Sequence, residues 1–286
     1  MNQKSEEMRQ HLPKYSQVNP YLAKKRSRHL RSVIHRLSTK LTATDINQTT
    51  IIFAPHQDDE TLGCGGTILR KRAMNAPVKV VYTTDGSASN KVMPKEELAA
   101  LRINEALAAC DLLHVSRSDV TFLGFEDGQL NQHSDAAVEK VTDILQREQP
   151  QQLFIPYFRD EHKDHQATNQ IVMTALRNLK QKPVIYEYPV WAWYRWPWIA
   201  LPPGRRRKVK KISGNIGVNL HLRAELKYAV EVADVLAIKY AALAQHRSQM
   251  TQLIPHPYWK TLGDISNGEF LGCFFYTYEL FYRHYG

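Results

Sequence analysis

A histidine and two neighbouring aspartates, His56, Asp58 and Asp59, follow directly on the apolar run at residues 51–54. Since a buried carboxylate without a partner costs free energy, two adjacent aspartates at the end of a buried strand require a metal ion or a proton-transfer task. In an open α/β sheet the carboxyl end of a strand is also where ligands bind. These residue types therefore indicate a metal site or a proton-transfer site.

A second cluster of the same residue types, His162, Asp164 and His165, follows another short apolar run at residues 153–156. Because crossover helices bring the ends of parallel strands to one edge of a sheet, we expect the two clusters to meet. Two histidines and one carboxylate leave an open position for water, as catalytic zinc sites do. The predicted metal ligands are His56, Asp59 and His165.

The remaining members of both clusters suit proton transfer. Zinc lowers the pKa of bound water to about 7, and a carboxylate that is not a ligand can then take the proton of that water. Asp58 is predicted to be this base. A leaving group needs a proton in turn, and a histidine with a carboxylate partner can supply it. We predict that His162 is the acid and that Asp164 orients its ring.

Residues 56–67, His-Gln-Asp-Asp-Glu-Thr-Leu-Gly-Cys-Gly-Gly-Thr, resemble the signature of the PIG-L (LmbE-like) zinc-dependent N-deacetylases, in which proline is common at the position of Gln57. Further matches follow in the family's order over roughly residues 50 to 250: Thr84-Asp85-Gly86, Arg102 with Glu105, Phe122-Leu123-Gly124 with Asp127-Gly128, the cluster at 162–165, and Lys239 with Ser248-Gln249. The resemblance implies Zn²⁺, or another divalent metal, as cofactor. It also implies removal of the N-acetyl group from an N-acetylglucosamine-type sugar conjugate.

The resemblance implies further roles around the metal. Arg102 and Asp127 would contact sugar hydroxyls, and their alternative interpretation is a solvated helix charge and a turn aspartate. Some family members have a tyrosine two residues before the histidine acid to stabilise the oxyanion. Asp160 stands at that position here, so the oxyanion partner is expected to be Tyr157, a substrate-binding candidate, or His162 itself.

Other residues near the motifs have plainer interpretations. Glu60 either favours the helix N-terminus electrostatically or supports the site from behind. Cys64 and the nearby glycines are expected to serve helix packing. No Gly-x-Gly-x-x-Gly motif follows a strand and no Walker lysine is present, so no nucleotide cofactor is indicated. Structural roles are expected for Lys239, Ser248 and Gln249.

Strand-like apolar runs alternate with helical patterns along the chain. The runs lie at residues 50–54, 78–83, 120–123, 153–156 and 184–188, and the helical patterns include 98–113, 136–149 and 166–179. This alternation predicts an α/β fold, a Rossmann-like doubly wound, mostly parallel sheet with helices on both faces. A long amphipathic stretch at 223–250 is expected to pack along the domain.

Charge is uneven along the 286 residues. Seven Lys and Arg residues without any acid lie at 22–41, and six more lie at 205–211; together they exceed the net charge of +10. We therefore predict a basic N-terminal extension with an amphipathic helix at 1–47 and an LmbE-like deacetylase domain at 48–286. The basic helix would either lie on an anionic membrane surface or dock on its own domain.

Four of the five tryptophans fall within residues 191–198, close to the second basic run. Tryptophan suits a buried core, a membrane interface or a platform for sugar rings, and all three remain open here. An anionic acetylated amino-sugar conjugate, such as a nucleotide sugar or a lipid pyrophosphate, would explain both basic runs without nucleic acid.

The expected cellular location rests on targeting and membrane-spanning signals that the sequence does not contain. Residues 1–21 contain no apolar core of a signal peptide, no apolar stretch reaches 18 residues, and the three cysteines are scattered. We expect a cytoplasmic protein, peripheral at the inner membrane face if the basic runs bind lipid.

Two alternative functions remain at this stage. The first keeps the chemistry but acts on a small thiol-precursor glycoside or a glycosylated natural product. The second is a non-catalytic membrane- or polyanion-binding module on the same fold. Asp58 and His162 argue against the module, since a retired site has no need of a base and an acid.

Overall fold

The structure is a computed structural model that describes residues 25–177, 179–194, 198–199, 222 and 224–284. Its helices are α1 (Lys25–Arg36), α2 (Ala43–Ile46), α3 (Asp59–Ala73), α4 (Lys95–Leu112), α5 (Ser134–Glu148), α6 (Lys163–Leu176), α7 (Leu236–Leu243), α8 (Arg247–Met250) and α9 (Glu269–Gly272). Its strands are β1 (Thr39–Lys40), β2 (Thr50–Ala54), β3 (Val78–Thr84), β4 (Val120–Phe125), β5 (Gln152–Pro156), β6 (Val184–Tyr188), β7 (Tyr228–Glu231) and β8 (Tyr278–His284).

The strands form one sheet in the order β1-β7-β8-β6-β5-β2-β3-β4. Paired strands run parallel, except that β8 is antiparallel to both β6 and β7. β2 and β5, which precede the two predicted site clusters, are direct neighbours. The predicted α/β fold with a mostly parallel sheet is confirmed.

Helices cover both faces of the sheet, which explains why the central strands are continuous apolar runs. Every residue of β2 and of β5 is buried. Alternate residues face opposite sides: Ile52 and Phe154 belong to one apolar core, and Ile51 and Leu153 belong to the other. The first core includes residues of α3, α4 and α7, and the second includes residues of α5 and α6.

The stretch at 223–250, expected to be a long amphipathic stretch, is divided among several elements. Its described residues include the four-residue strand β7, a 3-10 helix at Ala233–Val235, and the helices α7 and α8. The strand β8 was not predicted from the sequence. Both strands lie on the β1 side of the sheet, where β7 pairs with β1 inside the predicted N-terminal extension.

The N-terminal helix α1 docks on the domain. Ile34 is buried, and the Arg31 guanidinium lies between the rings of Trp193 and Tyr276, 4.2 and 4.0 Å from their centroids. Arg31 also donates to the carbonyl oxygen of Cys273 at 2.6 Å. In the described part of the chain no helix is long and apolar enough to cross a membrane.

Parts of the basic and aromatic predictions fall outside the described residues. These parts are residues 1–24, the side chains of 25–29, and the ranges 195–197 and 200–221, which include the basic run at 205–211 and Trp196. Within the tryptophan cluster, Trp193 and Trp198 are buried and pack edge to face at 5.0 Å. For these two rings, core packing is the interpretation that the structure supports.

Candidate functional site

The two predicted clusters meet at the carboxyl edge of the sheet. His56, Asp58 and Asp59 lie between β2 and the start of α3, and His162 and His165 lie between β5 and the first turn of α6. Since β2 pairs with β5, the two connections are adjacent. One ring nitrogen from each of His56, His162 and His165 lies within 4.8 Å of the other two.

The predicted ligands converge on one carboxylate oxygen. Oδ2 of Asp59 lies 3.2 Å from Nδ1 of His56 and 3.2 Å from Nε2 of His165. Ligands about 2.0–2.1 Å from a tetrahedral zinc ion are themselves about 3.3 Å apart. Nε2 of His165 is buried and has no hydrogen-bond partner in the described residues. A buried nitrogen without a partner, facing a carboxylate, fits a divalent metal ion between the two.

Asp160 holds His165 in the orientation that a ligand needs. Its Oδ2 lies 3.1 Å from Nδ1 of His165 and accepts the backbone N–H of Val190 at 3.0 Å. With the proton on Nδ1, the lone pair of Nε2 faces Asp59, which is how carboxylates orient metal-binding histidines. The sequence offered only one signal for this role, a carboxylate five residues before His165 at the end of a strand.

Asp164 orients His56, and the expectation that it orients His162 is corrected. Nε2 of His56 lies 3.3 Å from Oδ2 of Asp164 and 3.2 Å from Oδ1 of Asp127. The same Asp164 oxygen accepts the N–H of Gly128 at 2.7 Å. His162 instead accepts the backbone N–H of Asp164 at Nδ1, at 3.3 Å, because it occupies the N-cap of α6.

The backbone of Asp58 is strained, with φ of 149°, a value that non-glycine residues rarely adopt. Its N–H donates to Oε2 of Glu60 at 3.1 Å. Glu60 is completely buried, accepts the hydroxyl proton of Thr61, and lies 3.2 Å from Nε2 of His246. Of the two interpretations of Glu60, these contacts favour support of the site. His246 was not singled out from the sequence.

The electrostatic surroundings separate Asp58 from His162. Burial raises the pKa of Asp58 to about 6, against the opposing charge of Arg102. Nη2 of Arg102 lies 3.6 Å from Oδ2 of Asp58 and also donates to the carbonyl of Gln57 at 2.7 Å. Burial, with His56 as the next cause, lowers the pKa of His162 to about 4. Groups with opposite shifts in one cleft are typical of acid–base sites.

A cleft with a volume of about 420 Å³ opens above these residues, within the range of about 300–1,000 Å³ for small-molecule sites. Arg102 and Asp127 line it. Tyr157 does not; it is buried and its hydroxyl bonds to Glu225, so the expectation that it contacts substrate or an oxyanion is corrected.

The three residues at 239–249 that match the family pattern do not all line the cleft. Lys239 is buried and donates to the carbonyl of Leu62 at 2.9 Å and to Glu279 at 2.8 Å, a structural role. Ser248 donates its N–H and hydroxyl to Glu105. Gln249, also expected to be structural, lines the cleft.

Comparison with known protein families identifies the family of the segment in which the candidate site lies. Residues 51–176 match the family model described as GlcNAc-PI de-N-acetylase (PIG-L). This segment is a PIG-L domain. It contains each predicted metal ligand, the predicted base and the predicted acid.

Relatives of the PIG-L domain include named deacetylases. The chain is 27% identical over 146 residues to the probable N-acetyl-alpha-D-glucosaminyl L-malate deacetylase 2 of Bacillus cereus, an alignment that covers 48% of this chain and 65% of that protein. It is 25% identical over 234 residues to the diacetylchitobiose deacetylase of Thermococcus kodakarensis, covering 74% and 75% of the two chains.

A solved structure shares the fold over nearly the whole chain. The N,N'-diacetylchitobiose deacetylase from Pyrococcus horikoshii superposes with a TM-score of 0.57 at 21% identity, covering 99% of this chain and 94% of that one. This likeness supports the α/β fold described above.

Proposed function

We propose that this protein is a metal-dependent N-deacetylase that hydrolyses the N-acetyl group of an N-acetylglucosamine-type sugar conjugate. The observation that carries the proposal is the convergence of His56 and His165 on the buried carboxylate of Asp59, beside a cleft that His56, Asp58 and Asp59 line. The PIG-L domain and the relatives named as sugar deacetylases support the same reaction.

His56, Asp59 and His165 would hold Zn²⁺ or another divalent ion. When bound, the ion supplies a Lewis acid that polarises the acetyl carbonyl and lowers the pKa of water. Asp160 and Asp164 hold the two imidazoles, each at the ring nitrogen that does not face Asp59. The ligands therefore keep their orientation before any ion enters.

Asp58 would accept the proton of the attacking water. A carboxylate with a pKa of about 6 is mostly ionised at neutral pH, so it can act as a base there, and it is more basic than an ordinary aspartate. Arg102 fixes the loop behind Asp58 through the carbonyls of Gln57 and Gly86.

His162 would return a proton to the leaving amine. Its Nδ1 accepts the N–H of Asp164, so the single proton of the neutral ring lies on Nε2. A ring whose pKa is about 4 is neutral at pH 7, so as the acid it would first take up the proton that Asp58 removed from water. Once protonated, it is a stronger acid than an ordinary histidine and would pass that proton to the amine. The same Nε2–H would serve as a hydrogen-bond donor to the oxyanion, the role that Tyr157 does not fill.

The alternative substrates of this chemistry, a small thiol-precursor glycoside or a glycosylated natural product, fit the same cleft. The non-catalytic module is disfavoured, because Asp58 and His162 both lie beside the ligands rather than elsewhere. An anionic conjugate is part of the proposal. The two basic runs that suggested it lie partly or wholly outside the described residues.

The test is acetate release by the zinc-loaded protein from free, nucleotide-linked and lipid-linked N-acetylglucosamine, with Asp58→Asn as the control. We expect release from at least one conjugate, slower by about 10²–10⁴-fold in the variant. Stoichiometric metal and tight sugar binding without release from any conjugate would contradict the proposal.

A further inference from the structure

Apolar and aromatic residues form one wall of the cleft, here called the outer wall, and the first of them lies next to His162. The ring of Trp191 stacks near that of His162, at 6.1 Å between centroids and 30° between planes. Phe270 stacks on Trp191 at 4.9 Å and 23°. Leu262 and Ile265 continue the same wall, and all of these residues line the cleft. A group attached to a sugar at the metal would meet this wall next.

Lys260 is the charged residue of this outer wall. It lines the cleft and is exposed, and no ion pair of its ammonium group is found among the described residues. The carboxylate of Asp264 accepts the N–H of Thr261 at 2.8 Å, which lowers its pKa, and the charge of Lys260 helps to lower that pKa, but the side chains of Lys260 and Asp264 form no ion pair. Arg102, another cation in the lining, is different, because it is buried and bound to backbone carbonyls.

We propose that this wall binds the aglycone of the acetylated sugar and that Lys260 selects an aglycone that is apolar or aromatic and carries an acidic group. The inference rests on the proposed deacetylation at the metal and specifies its substrate class. Trp191, which the buried Phe270 supports by stacking, provides an aromatic surface for the apolar part. Lys260 provides the counter-charge at the mouth of the cleft.

The size of the two contributions differs. An aromatic wall excludes water and would strengthen binding of any apolar aglycone. An exposed ion pair is worth up to about 1 kcal/mol, which is about fivefold in affinity, and salt weakens it. Lys260 therefore determines a preference between matched aglycones, whereas Trp191 determines how tightly any apolar aglycone is bound.

The experiment compares phenyl and 4-carboxyphenyl N-acetylglucosaminides, each as both anomers, with the methyl glycoside as reference. The measurement is kcat/KM for acetate release. We expect the carboxyphenyl substrate to be preferred by about three- to fivefold at low salt. Lys260→Met should abolish this preference, and Lys260→Glu should reverse it. Lys227→Met, at an exposed lysine that does not line the cleft, is the matched charge control.

Trp191→Ala should raise KM for both aryl glycosides by about tenfold relative to KM for the methyl glycoside. Equal rates for the two aryl glycosides, or a carboxylate preference that survives in Lys260→Met, would overturn the inference while acetate release still supports the deacetylase. The opposite case is an aglycone site in a protein that hydrolyses none of these substrates. Calorimetric binding of both aryl glycosides to the Asp58→Asn variant tests it. A carboxylate preference there that Lys260→Met removes supports the aglycone site even if no substrate is hydrolysed.

Discussion

The two edges of the sheet carry cavities of similar size and different chemistry. The cavity at the amino edge has a volume of about 500 Å³ and is lined mainly by glutamines, lysines and aliphatic side chains, with no carboxylate or histidine in the lining. The cleft at the carboxyl edge, about 420 Å³, is lined by His56, Asp58, Asp59, Asp127 and His162. Volume does not distinguish a site from a surface hollow in this molecule. Acidic and histidine side chains in the lining, several of them bonded to a second group, do distinguish them.

The difference has a structural cause. At the carboxyl edge the strands β2 and β5 each pass directly into a helix N-terminus, whose free N–H groups and dipole favour carboxylates. At the amino edge the same strands start from loops that are rich in glutamine, and the cavity lining there contains no acid.

Removing single groups at the carboxyl edge should have the largest effects. Asp58→Asn is expected to lower kcat by about 10²–10⁴-fold with metal content retained, because only the base is lost. His165→Ala should lose both metal and activity, because a ligand is lost. Measuring metal content together with acetate release checks both predictions.

At the amino edge, Gln181→Ala should change neither metal content nor activity. A loss of activity in this variant would contradict the conclusion that only the carboxyl edge carries a site.

Asp160→Asn tests whether the groups behind the ligands matter. Without the carboxylate, Nδ1 of His165 loses its negatively charged partner, and metal affinity should fall by about 10–100-fold. Competition with a chelator measures this affinity. An affinity equal to that of the parent protein would show that Asp160 serves packing alone.

Glu60→Gln should have a smaller effect, confined to turnover. The strained backbone of Asp58 loses its charged acceptor, so the base is misplaced and kcat should fall by about tenfold or more. KM and metal content should stay constant. His246→Asn removes the partner of the same carboxylate, so the double variant should be little worse than either single variant. Additive losses would mean that the two residues act separately.

The smallest expected effect is a pH dependence of stability at the amino edge. Lys71 is fully buried, donates to Gln152 at 2.6 Å, and burial lowers its pKa from 10.5 to about 8. Below pH 8 both the folded and the unfolded chain hold the proton. Between pH 8 and 10.5 the unfolded chain holds more, so the free energy of unfolding rises with pH, by at most about 1.4 kcal/mol per unit.

Denaturant unfolding at several pH values, compared between the parent protein and Lys71→Met, measures this contribution. The difference between the two proteins should grow as pH rises through this window. A difference that is constant with pH would show that Lys71 keeps an ordinary pKa in the folded chain.

The sequence predicted the central sheet because its strands are buried on both faces and leave a plain signal. The run at 50–54 is β2, and the run at 184–188 is β6. β7 and β8 have mixed polarity, with Glu231 exposed and Glu279 buried against the backbone of α3, so their strand character depends on tertiary contacts.

For the site, the sequence predicted which residues come together and not how they pair. The meeting of His56 with His165 follows from strand adjacency alone. The contact of Asp164 with His56 depends on the loop at Gly128, whose φ is positive, and on side-chain rotamers that local patterns do not specify. The pairing of Glu60 with His246 joins residues 186 positions apart, which no spacing rule predicts.

The position of β8 has a consequence for how the protein is made. This strand, residues 278–284, lies between β6 and β7, so β7 and β1 cannot join the sheet before β8 has been synthesised. Glu279 of the same strand accepts the N–H groups of Gly66 and Thr67 in the helix that begins at Asp59. A nascent chain on the ribosome therefore contains every proposed metal ligand long before it contains the strand that completes their support. The sheet closes only when residues 278–284 have left the exit tunnel.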